Sequence, residues 1–315
     1  MKYVAIINSF NRNDLLKEAL EQLEANGGAD LHVVIFDAGS SDGSVQCATA
    51  FVAKDPHRRR LVTPEEREDT SFAHGVNRAV EAALSAWPDL ECLFLYETDN
   101  LLLNGTALRQ AETLLAARPE VAAVGFTVTR LDGTKASWGA RRPTLFAFVL
   151  GQQLSARLGL EEPIPAEWKD LEGVRYRPAD IVFTSPLLIR ASAWRQFGPL
   201  DEKSFPFSEC DIEWCLRVRR SGGLLCVVQA SGVVHDNRAM QSQWSAKRTL
   251  TFHRARFKLL RSIYGRLAFA ILPLLWLRHL TESVVLGLLC LAQPSRTPRF
   301  LARLSLLQAS LTGYR

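Results

Sequence analysis

The chain has 315 residues, of which 47% are hydrophobic and 23% are charged. This balance excludes a disordered chain and allows a sizeable core. The net charge is +5 and the isoelectric point about 9.0. The basic excess lies mostly near the C-terminus, so an anionic surface or ligand is predicted to contact that part of the chain only, and no nucleic-acid partner is predicted.

The cysteines and the N-terminus indicate a cellular compartment. The six cysteines show neither a C-x-x-C pair nor the spacing of a zinc site. A reduced, cytoplasmic chain is therefore predicted. Met1 to Tyr3 lead directly into a strand-like run, so no signal peptide is predicted.

Alternating strands and helices are predicted over the first half of the chain. Leu16, Leu20 and Leu23 recur on one face of a helix, for example, after the first strand. This order is typical of an α/β fold with a Rossmann-like, mostly parallel central sheet flanked by helices. The apolar runs that predict strands cover residues 3–7, 31–36, 92–96 and 121–129.

Polar side chains follow the first two predicted strands at the point where each strand ends. Ligands of open α/β sheets bind beyond the carboxyl ends of the strands, so these side chains are expected to line one binding edge. Asp37 suits hydrogen bonds from a base or a ribose. The alternative is that Asp37 and Asp42 only close a turn and cap a helix. The full set is Asn8, Ser9, Asn11, Asp37, Ser40 and Asp42.

Two acidic residues, Glu97 and Asp99, follow the buried strand at residues 92–96. Oxygen ligands at a strand end suit Mg²⁺ or Mn²⁺, which bridge to substrate phosphates; a solvated loop is the alternative. The chain contains neither a G-x-G-x-x-G motif nor a Gly-rich P-loop, so dehydrogenase and kinase functions lack their phosphate cradle. A nucleotide held by carboxylates and a metal favours a nucleotide-sugar.

Three further polar positions lie at predicted helix starts and strand ends. Gly75 and Asn77 fall in the first turns of a helix predicted over residues 70–86, and His235 follows a short strand. Asn77 on the helix surface and His235 as a structural loop residue are the alternatives.

An acidic helix start lies near residue 210. Glu209 and Asp211 open a helix that ends at Gly222. Glu213 and Arg217 are four residues apart and are predicted to pair on its surface. The preceding residues 130–177 lack clear periodicity and are predicted to be an insertion that shapes an acceptor pocket.

The C-terminal part, residues 246–315, is predicted to be a basic, apolar helical segment that follows a domain of residues 1–245. Its apolar pieces at 267–277 and 284–292 are each shorter than the roughly 20 residues that a membrane span needs. With the flanking arginines they indicate a helical hairpin or in-plane segment on an anionic membrane surface. An ordinary pair of core helices is the alternative.

Several of these stretches occur in a fixed order over about residues 3–240. That order resembles family 2 glycosyltransferases with the GT-A fold, and the segment Asp211–Arg217 is most similar to the rhamnosyltransferase-like branch. The stretches that carry the resemblance are Asn8–Arg12, Asp37–Ser44, Gly75–Asn77, Glu97–Asp99, Leu200–Glu202, Asp211–Arg217 and His235.

The resemblance implies an inverting transfer of a sugar from a nucleotide-sugar. Asp99 would bind Mg²⁺ or Mn²⁺, with Glu97 in the first acidic place and His235 as a further metal or diphosphate contact. Asp211 stands at the position of the general base that deprotonates the acceptor hydroxyl. The donor would be bound by Asn8, Ser9, Asn11, Asp37, Ser40, Asp42, Gly75, Asn77 and Glu97.

The resemblance also implies a setting for the reaction. The donor would be dTDP-rhamnose, with UDP- and GDP-sugars open, and the acceptor a cell-surface polysaccharide or a lipid-linked glycan. The enzyme would lie at the cytoplasmic face of the inner membrane.

Alternatives remain open at this point. Cys210 stands where many family members have Glu, so Glu209, one step earlier, is an alternative base. A catalytically silent nucleotide-sugar-binding or scaffold protein of the same fold is the rival function. Nucleotidyltransferase activity is disfavoured because no basic, Gly-rich N-terminal loop is present to bind a triphosphate.

Overall fold

The structure is a computed structural model that describes residues 1–28, 30–65, 69–160, 167–235 and 245–314. The chain forms two compact units. One comprises Met1–Arg141 and Glu162–Asp236, and the other Arg142–Glu161 and Asn237–Arg315. The domain boundary after residue 245 stays a prediction.

A mixed sheet forms the centre of the first unit. Its strand order in the described residues is β3-β2-β1-β4-β11-β6-β12-β10-β9. A small second sheet has the order β5-β13-β7-β8. The strands are β1 (Tyr3–Ser9), β2 (His32–Asp37), β3 (Arg59–Val62), β4 (Cys92–Leu95), β5 (Asn100–Leu102), β6 (Val121–Phe126), β7 (Val128–Thr129), β8 (Lys135–Ser137), β9 (Lys169–Leu171), β10 (Val174–Ala179), β11 (Leu187–Arg190), β12 (Leu224–Val228) and β13 (Val233–His235).

In the first unit, helices alternate with the strands along the chain. The second unit consists mostly of helices. In the first unit they are α1 (Asn13–Asn26), α2 (Ser44–Lys54), α3 (Phe72–Ala86), α4 (Thr106–Ala117), α7 (Ala191–Phe197) and α8 (Cys210–Arg220). In the second they are α5 (Leu145–Leu150), α6 (Gln152–Arg157), α9 (Ala246–Tyr264), α10 (Leu272–Ala292) and α11 (Thr297–Leu311), with short 3₁₀ helices at Gly265–Ile271 and Pro294–Arg296.

The predicted α/β fold is confirmed, but the sheet is mixed where a mostly parallel one was expected. Strands β3, β2, β1 and β4 run parallel, whereas β11 is antiparallel to both β4 and β6. A strand that is buried on both faces has the same apolar pattern in either direction, so periodicity does not reveal its orientation. The hairpin between β9 and β10 turns at Glu172 and Gly173, both with positive φ.

Close packing at the carboxyl ends of β1 and β2 sets the position of helix α3. A Cβ on Gly75 would lie 2.6 Å from the ring of Phe36 and 2.8 Å from the side-chain nitrogen of Asn8. Glycine therefore lets the first turn of α3 contact the ends of these two strands directly. The core beneath them contains Phe36, Phe94 and Tyr96, each at most 1% exposed.

The second unit is a helical assembly with its own core. Phe257, Leu260, Leu275 and Leu306 are buried in it, and the predicted apolar C-terminal helices are present. Among the described residues, the helical stretch Ala246–Ala292 contains a segment that is long and apolar enough to cross a membrane, with a mean hydropathy of 1.5. Length and composition alone set this test, and the core helices of soluble proteins also pass it.

Candidate active site

Two polar loops, after β1 and after β2, are held together by hydrogen bonds. The backbone nitrogen of Asn11 donates to Ser40 Oγ at 2.8 Å, and the Asn11 side-chain oxygen accepts from the Ser41 nitrogen at 2.8 Å. Asn11 has φ of 50°, in the left-handed region that asparagine tolerates. Asn8 donates to the Phe72 carbonyl at the start of α3. The loops that carry the predicted donor-binding residues after β1 and β2 are thus joined directly.

Both aspartates of the second loop also maintain its shape. Asp37 accepts hydrogen bonds from the backbone nitrogens of Gly39 and Ser40 and from Ser40 Oγ at 2.8 Å. Asp42 accepts from the Asn13 backbone and from Ser44 Oγ at 2.6 Å. The turn-closing alternative therefore applies to both residues, whether or not they also contact a nucleoside.

Asp99 lies at the centre of a charged cluster that joins distant parts of the chain. His235 in β13 is the register partner of Asn100 in β5, and this pairing brings His235 next to Asp99. His235 Nδ1 lies 3.4 Å from Asp99 Oδ1, and a guanidinium nitrogen of Arg12 lies 3.3 Å from Asp99 Oδ2. Arg12 also donates to Thr98 Oγ1.

The charges in this cluster stabilise one another. Burial alone would raise the pKa of Asp99, but His235 and then Arg12 outweigh burial and lower it. Burial alone would lower the pKa of His235, and the Asp99 carboxylate outweighs it, so that the His235 pKa is raised. An anionic Asp99 between two cationic partners is the state that these shifts favour.

Two atoms of the cluster have the properties of metal ligands. Asp99 Oδ1 and His235 Nδ1 are both buried and face each other as an ion pair at 3.4 Å, and among the described residues neither atom makes a hydrogen bond of good geometry. A carboxylate oxygen and an imidazole nitrogen suit a cation such as Mn²⁺. The described residues contain no group of three or more His, Cys, Asp or Glu side chains that could hold a metal ion.

Glu97 is fixed by the segment that precedes β11. Its Oε1 accepts hydrogen bonds from Thr184 Oγ1 at 2.9 Å and from Ser185 Oγ at 2.6 Å. Its charge contributes, after larger effects, to raising the pKa values of both His235 and Asp211. Glu97 is therefore electrostatically coupled to His235 and to Asp211 at the acidic start of α8.

The acidic start of α8 holds a carboxyl group that titrates near neutrality. Burial, then the charge of Glu209 and, more weakly, that of Glu97, raise the pKa of Asp211 to about 7. Glu209 is only 4% exposed and has φ of 67°, a conformation that costs free energy in a residue with a Cβ and clusters at functional sites. The predicted pair of Glu213 and Arg217 is confirmed at 2.8 Å.

The family of the chain follows from its sequence over most of its length. Residues 2–256 match the family described as "Glycosyltransferase like family 2". The chain belongs to glycosyltransferase family 2. No curated protein sequence matches it significantly.

Solved structures show that this family 2 glycosyltransferase has a GT-A-like α/β fold. The mannosyltransferase PcManGT from Pyrobaculum calidifontis, solved with GDP-Man and Mn²⁺, is 17% identical, with a TM-score of 0.55 over 98% of this chain and 87% of that one. GalNAc-T7, solved with UDP, GalNAc and Mn²⁺, is 12% identical, with a TM-score of 0.56 over 80% of this chain and 47% of that one. TarS of S. aureus is 13% identical, with a TM-score of 0.51 over 86% of this chain and 40% of that one.

Two residues of the glycosyltransferase make contacts that the sequence alone did not reveal. Asn77 holds the loop before α8 in place, because it donates to Leu200 O and Glu202 and accepts from the Leu200 nitrogen. Arg12 was not among the predicted site residues, yet it contacts Asp99. The sequence signal for Arg12 was its place at the end of the first polar loop, directly after residues that were predicted to bind the donor.

Proposed function

We propose that the chain is an inverting, metal-dependent glycosyltransferase that moves a sugar from a nucleotide-sugar to a hydroxyl group. The observation that supports this proposal is one cluster: a buried carboxylate–imidazole pair, Asp99 and His235, coupled through Glu97 to Asp211. The pair would provide ligands for a cation, and Asp211, whose pKa is raised to about 7, would provide the base. Family membership supports the transferase class, and the cluster supports the chemistry.

The donor would be bound by the loops after β1 and β2. Asp99 and His235 would hold Mg²⁺ or Mn²⁺, which when bound offsets charge on the leaving diphosphate. Arg12 lies beside Asp99 and would bind diphosphate oxygens through charge-assisted hydrogen bonds. Ser9, which precedes the loop after β1 and is 1% exposed, belongs to the same predicted donor-binding set. The remaining donor-binding set is Asn8, Asn11, Asp37, Ser40, Asp42, Gly75, Asn77 and Glu97.

Asp211 would act as the general base. Its carboxylate would take the proton of the acceptor hydroxyl while the acceptor oxygen forms a bond to the anomeric carbon. The bond between that carbon and the diphosphate breaks at the same time, so the configuration at the anomeric carbon inverts. A base whose pKa lies near the working pH is well matched to this transfer. Glu209 is the alternative base, and its buried, left-handed backbone supports a role in placing Asp211.

The substrates follow from the resemblance in sequence. The segment Asp211–Arg217 favours dTDP-rhamnose as donor, and a cell-surface polysaccharide or lipid-linked glycan as acceptor. The apolar, basic C-terminal helices favour a location at the cytoplasmic face of the inner membrane. The neighbouring structures with GDP-Man and with UDP and GalNAc keep other nucleotides among the donors to be tested.

The pH dependence of turnover should follow the ionisation of Asp211. Because the carboxyl group is protonated below its pKa of about 7, kcat/KM should fall about tenfold for each pH unit below 7 and level off above it. Initial rates between about pH 5 and 9, which bracket the pKa of Asp211, would measure this profile. A profile that stays flat below pH 7, or that keeps the same slope in Asp211→Asn, would contradict this assignment.

Arg12 should contribute to donor binding. Arg12→Ala is expected to raise the KM for the nucleotide-sugar by about tenfold or more, because one charge-assisted hydrogen bond to phosphate is lost. Arg12→Lys should restore part of the loss. Arg109→Ala, at an exposed position of α4, is the matched control and should leave KM unchanged. An unchanged KM in Arg12→Ala would show that Arg12 does not touch the donor.

A donor panel tests the proposed function as a whole. The full-length chain would be incubated with Mn²⁺ or Mg²⁺ and with dTDP-, UDP- and GDP-sugars, and the release of nucleoside diphosphate would be followed. Turnover of one donor that stops on addition of EDTA is expected. Binding of a donor with no release, even with candidate glycan acceptors present, would favour the silent nucleotide-sugar-binding protein instead.

A further inference from the structure

Helix α10 has the opposite polarity from a surface helix of a water-soluble protein. His279 is 0% exposed and Ser283 is buried, while Arg278 and Glu282 are half-buried. A helix that faces water buries its apolar stripe and exposes its charges. The exposed side chains of α10 are instead largely apolar: Leu274, Leu277, Val284, Val285, Leu288, Leu289 and Leu291.

The charged side chains on the polar face of α10 are paired within the second unit. Arg278 and Arg303 each lie 3.0 Å from Glu282, and His279 Nε2 lies 2.9 Å from Tyr314 Oη. Arg278 also donates to the carbonyls of Phe148 and Val149. Because these charges have partners inside the protein, they do not prevent the opposite face of the helix from entering an apolar phase.

The exposed apolar face has the size of a membrane-inserting surface. From Leu274 to Leu291 it extends about 26 Å along the helix axis at about 1.5 Å per residue, long enough for a helix lying in the plane of the membrane to bury one apolar face in a leaflet. Only 17% of the most apolar segment is buried, which distinguishes it from the core helix of a soluble protein. Helix α11 adds further exposed leucines: Leu301, Leu304 and Leu311.

Basic residues of α9 and of the segments that flank α10 in sequence favour anionic lipid over a second copy of the chain. Arg266 and Arg299 lie near the two ends of α10 in sequence and are exposed, as are Lys247, Arg254 and Arg261 on α9. Phospholipid headgroups with negative charge attract such residues. Two identical faces would bring like charges together. The exposed cations of α9 also keep that helix in water, so one face of the unit enters the membrane while the unit as a whole does not cross it.

We propose that the apolar face of α10 inserts into the hydrocarbon region of an anionic leaflet. In this arrangement the ion pairs of Glu282 stay inside the protein, and the arginines beside α10 contact the headgroups. The membrane contact of the transferase would then be made by the exposed apolar side chains of α10, independently of the sugar-transfer reaction.

Vesicle flotation of the full-length chain tests the insertion. The wild type should float with phosphatidylcholine vesicles that contain phosphatidylglycerol, in an assay with neither donor nor metal. Leu277→Glu and Leu288→Glu should each lower the partition coefficient by at least about tenfold. Leu131→Glu, at a leucine of the first unit that is 73% exposed, is the matched control and should float like the wild type. Far-UV circular dichroism would show that each variant is folded.

Two results would overturn the proposal. Flotation of folded Leu277→Glu and Leu288→Glu to the wild-type extent would show that the face does not enter lipid. A wild type that is dimeric on a size-exclusion column and does not float, with variants that become monomeric, would assign the face to a second copy of the chain. Because the assay contains no donor, either result leaves the proposed transfer reaction to be judged by turnover alone.

Discussion

Asp99→Asn is expected to abolish metal-dependent turnover. The substitution removes the charge that pairs with Arg12 and His235 and leaves one weak neutral ligand for the cation. Loss of electrostatic stabilisation at a leaving group costs at least about 10²-fold in kcat. Donor binding should weaken as well, because metal and diphosphate bind together. Calorimetric titration of the donor with Mn²⁺ present, beside a measurement of kcat, would show both effects.

The control for Asp99→Asn is Asp30→Asn, which changes an exposed aspartate of the same unit. It should bind and turn over the donor like the wild type. If Asp99→Asn stays folded and keeps metal-dependent donor binding at the wild-type affinity, Asp99 is not a metal ligand.

Asp211→Asn should separate binding from chemistry. The amide has nearly the same shape as the carboxylate but cannot accept the acceptor proton, so kcat should fall by about 10²–10⁴-fold. The dissociation constant of the donor should stay within a small factor of the wild-type value. Parallel measurements of donor affinity and of kcat with a glycan acceptor would test this separation.

Two variants near Asp211 serve as comparisons. Glu213→Gln, in which only the surface pair with Arg217 is lost, should keep activity. Glu209→Gln decides between the two candidate bases, since a larger loss of kcat than in Asp211→Asn would assign the base to Glu209.

Unfolding experiments would show that a loss of activity in Asp211→Asn is not a loss of fold. The folded-state pKa of Asp211 is raised to about 7, above the usual value for aspartate. An acid with a raised pKa destabilises the folded state as pH rises from the unfolded-state pKa to the folded-state pKa. At pH values above about 7, Asp211→Asn should therefore be at least as stable as the wild type to urea.

The sequence was informative where local chemistry determines structure. Buried strands ending in Asn8, Asp37 and Glu97 could be located because their apolar runs and polar ends are local signals. The pairing of Glu213 with Arg217 follows from helical spacing alone. These local signals were sufficient to predict a candidate site at the carboxyl ends of the strands.

Features that depend on distant contacts were not accessible in this way. Asn100 and His235 pair across 135 residues of chain, so the contact between Arg12, Asp99 and His235 has no local signature. The clamp of Asn77 on Leu200 is equally remote. The apolar run of α10 was visible in the sequence, but a membrane-surface helix and an ordinary core helix both fitted it. Hydropathy does not tell which face of a helix is covered by other helices.

The most direct test of the transferase assignment is the release of nucleoside diphosphate from a matched donor and acceptor, measured for wild type, Asp99→Asn and Asp211→Asn together. The proposed site predicts metal-dependent release by the wild type, loss of both donor binding and release in Asp99→Asn, and retained binding without release in Asp211→Asn. Release at the wild-type rate by either variant would contradict a catalytic site built on Asp99 and Asp211.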